Sequence, residues 1–322
     1  MSALTISALT ISAWAKINLY LHVLAKGMDG YHRLQTLMTF VRVGDTLQAS
    51  LQDSPTPSIT LTVQQSSRQQ EQLTQDTNNL VHKAATLATT SFPTAFARKA
   101  IRLHLIKRLP VASGMGGGSS DAAATLTALC ALAHLDRQET SWHTIARQLG
   151  ADVPFFWHGQ SAIACGIGDI LYPMPSLPAF YALLVTPATP IKTPAVFQHL
   201  GLTPLPPQEL APYDAPQQKP TEINPHLWQD AHTCIQTLKQ KRNDLYPAAR
   251  QFCPTIDTVL DALNDTKGCL LARLSGSGAT CFALYLHKQD ARNAHATISQ
   301  AYPQCWCAWA QLHHNAHHTP HP

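Results

Sequence analysis

Ala13, Ala15, Ile17, Leu19, Leu21 and Val23 alternate with Trp14, Lys16, Asn18, Tyr20 and His22. A period of two over that length predicts a strand. The run stops at "AKGMDGYH", where Asp29-Gly30 is a strong turn signal. "LQTLMTFVRVGDTLQASL", "SITLTVQ" and "KAIRLHLIKRLP" read as further strands, and the Gln-rich "QQSSRQQEQLTQD" as an exposed loop. Apolar spacing of three and four marks helices in "NNLVHKAATLATTSF", in "SSDAAATLTALCALAHL" with Ser and Asp at its start, and in "SWHTIARQLG", which ends on Gly150. Beyond them, "ADVPFFWHGQSAIACGIGDILYPM" reads mostly as strand and turn, and the proline-rich "TPLPPQELAPYDAPQQKPTEINP" as loop. "TVLDALNDTKGCLLARLSGSGATCFALYL" predicts helix, strand, glycine turn and strand. The opening repeats five residues, Ser2–Ile6 and Ser7–Ile11, and only one copy can hold the register leading into the first strand. The pattern is α+β, with two halves meeting near residues 155–165: an N-terminal domain over 1–160, a C-terminal domain over 161–310, and a disordered His-rich tail over 311–322.

Composition narrows the class. Of 322 residues only 13% are charged, against about 25% in typical globular chains, while 45% are hydrophobic. The net charge of +4 suits an anionic small molecule; without a Lys/Arg block there is no case for nucleic acid. Eight cysteines form no CxxC pair and no zinc-type spacing, which reads as buried thiols in a reducing cytoplasm. No stretch of 18 apolar residues predicts a membrane span, and the N-terminus lacks the pattern of a signal peptide. The His-rich end could bind a metal fortuitously or simply be mobile.

The candidate chemistry lies in "PVASGMGGGSSDAAAT", residues 110–125. Strand, glycine-rich loop and helix N-terminus together make an anion site, because free backbone N–H groups and the positive end of the helix dipole converge there. Ser119 and Ser120 add hydroxyl donors. A Walker loop would need Gly-Lys-Ser/Thr, the dinucleotide fingerprint would need glycine where Ser119 stands, and the G-x-S-x-G elbow fits neither serine. Taken by itself, such a loop could equally be a tight structural turn.

The extended pattern resembles the phosphate loop of the GHMP kinases, the family of galactokinase, homoserine, mevalonate and phosphomevalonate kinases. "AKINLYLHV", "DGYHRLQTLM", "GADVPFF" and "LSGSGAT" follow in the family's order, so the resemblance runs from about residue 13 to 285. Trp14 replaces a usual proline and Met115 a usual leucine. The resemblance implies a two-domain GHMP kinase fold with ATP and substrate in the cleft between the domains, and Mg²⁺ as the metal. ATP would contact Pro110, Ser113, Gly114, Met115, Gly116, Gly117, Gly118, Ser119 and Ser120, with Asn79 and Lys107 at less specific positions. Asp152 would be the base for the substrate hydroxyl and Lys16 its charged partner; Asn18 would hold that hydroxyl. "AKINLYLHV", "DGYHRLQTLM" and "GADVPFF" most resemble one branch of the family, which implies a small-molecule substrate with a cytidine diphosphate group. Its cytosine would lie between Tyr31 and Phe197, with His32 reading its polar edge and Thr193 nearby.

Alternatives attach to the same residues. Asp152 could stabilise a turn after Gly150, Lys16 could snorkel from a strand edge, and Tyr31 and Phe197 could be core packing. A kinase for mevalonate or homoserine would need no aromatic sandwich, and a non-catalytic nucleotide- or RNA-associated protein would lack Lys16 or Asp152.

Overall fold

Two long strands organise the molecule. In this computed structural model, which describes residues 7–65, 71–73, 76–174, 176–214 and 219–315, β1 (Ser7–Lys26) and β2 (His32–Asp53) form an antiparallel hairpin closed at Asp29-Gly30. Its register shifts at Trp14/Ala15, Asn18/Tyr20 and Val23/Ala25; such bulges increase twist and re-aim side chains. From Asp45 onward β2 alternates, burying Asp45, Leu47, Ala49 and Leu51, whereas Thr36–Val41 is buried on both faces. That change marks where the hairpin passes from one covered face to the crowded middle of the molecule.

The outer half of β2 pairs with β5 (Lys99–Lys107), which runs parallel to β3 (Ser58–Gln65); β4 (Glu71–Leu73) closes that edge. The inner half pairs with β6 (Ala162–Cys165), itself paired with β7 (Ile170–Pro173). In the C-terminal half, β8 (Tyr181–Thr186), β9 (Leu271–Leu274), β10 (Cys281–Tyr285) and β11 (Trp306–His313) lie in the order β11-β8-β10-β9. β11 joins them to β2 at Val41 and Phe40, so the described strands form one continuous network.

Helices α1 (Leu80–Ser91), α2 (Pro93–Phe96), α3 (Gly117–Leu132), α4 (Thr140–Leu149) and α5 (Val153–His158) cover the first core, where Leu47, Leu103, Ala84, Leu126, Trp142 and Phe155 meet. Small residues such as Ala122–Ala124 let α3 sit buried on nearly every side. The C-terminal half adds α6 (Thr193–His199), α7 (Pro207–Asp214), α8 (Ala231–Lys239), α9 (Tyr246–Phe252), α10 (Thr255–Asn264) and α11 (Lys288–Ala301). β1 feeds all three cores in turn: Ile11 and Ala13 the first, Ala15 and Ile17 the second, and Leu21 the third. The hairpin is therefore common to all three cores.

Four expectations need correction. "VPFFWH" is helix α5 rather than strand, because Pro154 is tolerated in a first helical turn and Phe155, Phe156 and Trp157 bury together. The proline-rich segment is only partly loop. Pro207 opens α7, and short 3₁₀ turns occupy Thr221–Ile223 and Pro225–Leu227. Glu71–Leu73 of the Gln-rich stretch is strand β4, while 66–70 and 74–75 lie outside the described residues. The tail is ordered further than expected: β11 runs to His313 and Asn315 bridges to Gln160, with 316–322 outside the described residues. Ser7 starts β1, so the second repeat copy holds the register; Ser2–Ile6 lies outside the described residues.

Candidate active site

The glycine-rich loop follows β5 directly and is fixed by backbone contacts. Ser113 O accepts from Thr280 N at 3.2 Å and Thr280 Oγ1 at 2.6 Å, and Met115 O accepts from Lys16 N at 3.0 Å. Gly114 has φ +78°, and a Cβ there would lie 2.8 Å from Ser275 O and 2.9 Å from Gly278 O. A Cβ on Gly116 (φ +69°) would lie 2.8 Å from the Phe156 ring. These two glycines let the loop press onto α5 and onto the second glycine turn, Ser275–Gly278. A Cβ on Gly117 or Gly118 would instead make ordinary contacts with side chains, the nearest at 3.4 Å. No side chain caps α3, which leaves its first-turn N–H groups aimed at a potential anion.

Of the predicted loop residues, Gly114 and Ser119 line the main cavity, whereas Met115 is buried and Ser120 donates its hydroxyl to Trp14 O at 2.8 Å. Ser120 is therefore a tether for α3. Ser113 is buried beneath the loop, and Pro110 starts it. Neither Asn79 nor Lys107 lines the cavity. Asn79 caps α1, its Oδ1 accepting from Val81 N at 2.9 Å. Lys107 donates to Asp121 at 2.7 Å and also to Asp45, at the base of the loop. Asp45 also accepts from Leu109 N at 2.9 Å and from Arg108 N.

One lysine cannot compensate two buried carboxylates. Burial pushes Asp121 up to about 7 despite Lys107, and its Oδ1 has no partner. Burial opposes the charge on Lys107, but the two carboxylates outweigh it and hold its pKa above the ordinary value.

The cavity, of about 690 Å³, runs from Gly114 and Ser119 to Tyr31 and Phe197. At its centre Lys16 Nζ lies 3.6 Å from Asp152 Oδ2 and donates to Asn18 Oδ1 at 2.7 Å. Asn18 Nδ2 donates to Thr36 Oγ1 at 2.8 Å, and Thr36 in turn donates to Tyr20 O at 2.5 Å. Ser275 Oγ accepts from Asn18 N at 3.1 Å, bringing the second glycine turn against the same strand. Lys16 and Asn18 share a face of β1 and are buried. Asp152 precedes α5 without using its side chain as a cap, so its carboxylate is free for the cavity.

At the far end His32 is buried, with Nε2 unpartnered, and its ring lies 5.0 Å from that of Phe197 on α6. Burial, with the Lys26 ammonium adding to it, holds the His32 pKa below its ordinary value, so the ring is neutral near pH 7. Tyr31 is 61% exposed on the turn, and Thr193 Oγ1 hydrogen-bonds Ser277 at 2.8 Å. Sequence reasoning missed Thr36, Lys26 and Asp45. Thr36 and Asp45 are polar residues at buried strand positions, a signal visible only once the strand register is known.

A glycine-rich loop at an uncapped helix N-terminus, with the ion-paired Asp152 in the same cavity, is an arrangement suited to a small-molecule phosphotransferase. The GHMP kinases N terminal domain model matches residues 79–160, and the GHMP kinases C terminal model matches 232–304. The 4-diphosphocytidyl-2-C-methyl-D-erythritol kinase of Paramagnetospirillum magneticum is 39% identical over 306 residues, 95% of this chain and 99% of the relative. That of Rhizobium meliloti is 39% identical over 92% of this chain and 93% of its own. A crystal structure of 4-(cytidine 5'-diphospho)-2C-methyl-D-erythritol kinase superposes with TM-score 0.67 at 30% identity, covering 94% of this chain and 98% of that one. Homoserine kinase from Cytophaga hutchinsonii reaches TM-score 0.68 at 15% identity over 100% and 98% of the two chains, a likeness of fold alone. The chain belongs to the GHMP kinases, and within them to the 4-diphosphocytidyl-2-C-methyl-D-erythritol kinase family.

Proposed function

We propose that this chain transfers the γ-phosphoryl group of ATP to the 2-hydroxyl of 4-diphosphocytidyl-2-C-methyl-D-erythritol, a step toward isoprenoid precursors. The observation that carries the reading is the Lys16–Asp152 pair at 3.6 Å, between a free helix N-terminus and an aromatic end with an unpartnered His32 Nε2. In this reading the triphosphate rests on the Gly114–Ser119 loop, where backbone N–H groups neutralise charge without sequence-specific side chains. Asp152 accepts the proton of the 2-hydroxyl as its oxygen attacks the γ-phosphorus. The bond from that phosphorus to the bridging oxygen breaks, and ADP leaves. Lys16 keeps Asp152 ionised and offsets charge growing on the attacking oxygen; Asn18, its amide oriented by Thr36, holds the hydroxyl in line. Cytosine stacks between Tyr31 and Phe197, and neutral His32 reads its edge.

Residues 1–160 supply the phosphate loop and the catalytic pair, and residues 161–310 bring Thr193 and Phe197. Among the described residues no group of three His, Cys, Asp or Glu could hold a metal. Asp152 and Ser119 are compatible with Mg²⁺ carried mainly by phosphate oxygens and water. When bound, Mg²⁺ would neutralise phosphate charge.

The test offers purified protein, ATP and Mg²⁺ the cytidyl substrate, mevalonate and homoserine side by side, with ADP release measured. Turnover of the cytidyl substrate alone is expected; preference for mevalonate or homoserine would overturn the assignment.

A further inference from the structure

The turn that carries Tyr31 is exposed, yet its backbone is tied more tightly than its exposure requires. Arg33, whose side chain is 7% exposed, sits directly behind it. Its guanidinium donates to Asp29 Oδ1 at 2.9 Å and to Tyr31 O at 3.2 Å. Its other edge grips Asp214 on α7 in a two-point fork, Nε to Oδ1 at 2.6 Å and Nη2 to Oδ2 at 3.1 Å. Asp29 Oδ1 also accepts from Tyr31 N at 3.0 Å, and Tyr31 O accepts from Gly27 N at 2.8 Å. Both backbone polar groups of Tyr31 are thus held within one network centred on Arg33.

The segment leading into α7 docks on the same hairpin. Leu205 N donates to Lys26 O at 2.7 Å, and Met28 N donates to Leu205 O at 3.2 Å. Gly27 leaves no room for a side chain: a Cβ would lie 2.4 Å from Asp29 Oδ1, 2.8 Å from Arg33 Nη1 and 2.9 Å from Leu210 Cδ1. Leu210 is the buried residue of α7. Helix α7 contributes nothing to the lining of the cavity. Its Asp214 nevertheless fixes the guanidinium that fixes Tyr31. A planar fork between a guanidinium and a carboxylate is geometrically specific, and it ties the exposed turn to α7 through Arg33.

We propose that Arg33 and Asp214 are positioning residues for base recognition: α7 is a buttress that pre-sets the Tyr31 ring for cytosine. This rests on the reading of Tyr31 as one face of the cytosine site. The buttress lowers the ordering cost of binding and acts on KM for the cytidyl substrate, without touching the phosphate loop or the Lys16–Asp152 pair.

The test is steady-state kinetics on Asp214→Asn, Asp214→Glu, Tyr31→Ala and the double variant Asp214→Asn/Tyr31→Ala, with melting temperatures for each. Asp214→Asn is expected to raise KM for the cytidyl substrate by about tenfold, part of the loss for removing one aromatic–base stack. Its kcat and its KM for ATP stay at the parent values, and Asp214→Glu recovers most of the effect. The double variant is expected to be no worse than Tyr31→Ala alone, because a buttress without its platform has nothing to position. Additive losses, or a fall in kcat and both affinities together with early melting, would overturn the buttress and leave the cytosine site standing. An unchanged KM in Tyr31→Ala would overturn the cytosine site itself, and the buttress with it.

Discussion

The two ends of the cavity are built by different means. The end proposed for phosphate is backbone: Gly114 and Gly116 press the loop onto its neighbours, main-chain bonds from Lys16 and Thr280 pin it, and α3 presents N–H groups that no side chain caps. The end proposed for the base is side chain: Tyr31, His32 and Phe197 line the cavity there, and Arg33 holds the turn from behind. A phosphate is a feature shared by many substrates, and main-chain donors suffice to bind it. A particular base needs ring faces and directed polar atoms.

Breaking the chemistry between the two ends should have the largest effect. Asp152→Asn keeps the shape and removes the base, so kcat should fall by about 10²–10⁴ with ATP affinity little changed. A variant turning over at near-parent rates would remove Asp152 from the mechanism.

The phosphate end should then separate its own glycines. Gly114→Ala forces a left-handed residue against two carbonyl oxygens at 2.8 and 2.9 Å. The strain alone is worth about 1–3 kcal/mol, so the melting temperature should drop along with ATP binding. Gly117→Ala adds a Cβ that makes ordinary contact with Leu109 and Lys107 side-chain atoms, the nearest 3.4 Å away. It should melt nearly as the parent does, yet lose ATP far more than the cytidyl substrate. Calorimetry showing equal loss of both ligands would make the Gly117 region structural.

The smallest effect concerns pH. Burial raises Asp121 to about 7 from an ordinary 3.8, so the folded state holds a proton that the unfolded chain has released. The stability linked to that proton is complete below about pH 4 and is lost as pH rises through about 7. Asp121→Asn should flatten the fall in melting temperature across that window. The same slope in parent and variant would mean that Asp121 is ionised throughout.

Much of this was legible in the sequence where a periodic pattern met a sharp local signal. The β1 alternation put Lys16 and Asn18 on one face, and the glycine run announced the loop before α3. Helices α5 and α7 were not legible, because short proline-bearing segments look like loop until Phe155 and Leu210 find cores to bury in. Lys107 illustrates the other limit. The resemblance assigned it to ATP, and nothing local announced that its ammonium also pairs with Asp121 and with Asp45, distant in sequence. Arg33 likewise gains its meaning only from Asp214, a partner that no local pattern could supply.

The central claim, that the side-chain end reads cytosine independently of the backbone end, is tested most directly by the two KM values and the melting temperature of Tyr31→Ala. One aromatic–base stack is worth about 1–3 kcal/mol, so KM for the cytidyl substrate should rise roughly tenfold to a hundredfold. KM for ATP and the melting temperature should stay where they are, and Tyr31→Phe should behave as the parent. Early melting with equal loss of both ligands would contradict the account, because it would make Tyr31 a packing residue and leave the cytosine site without its platform.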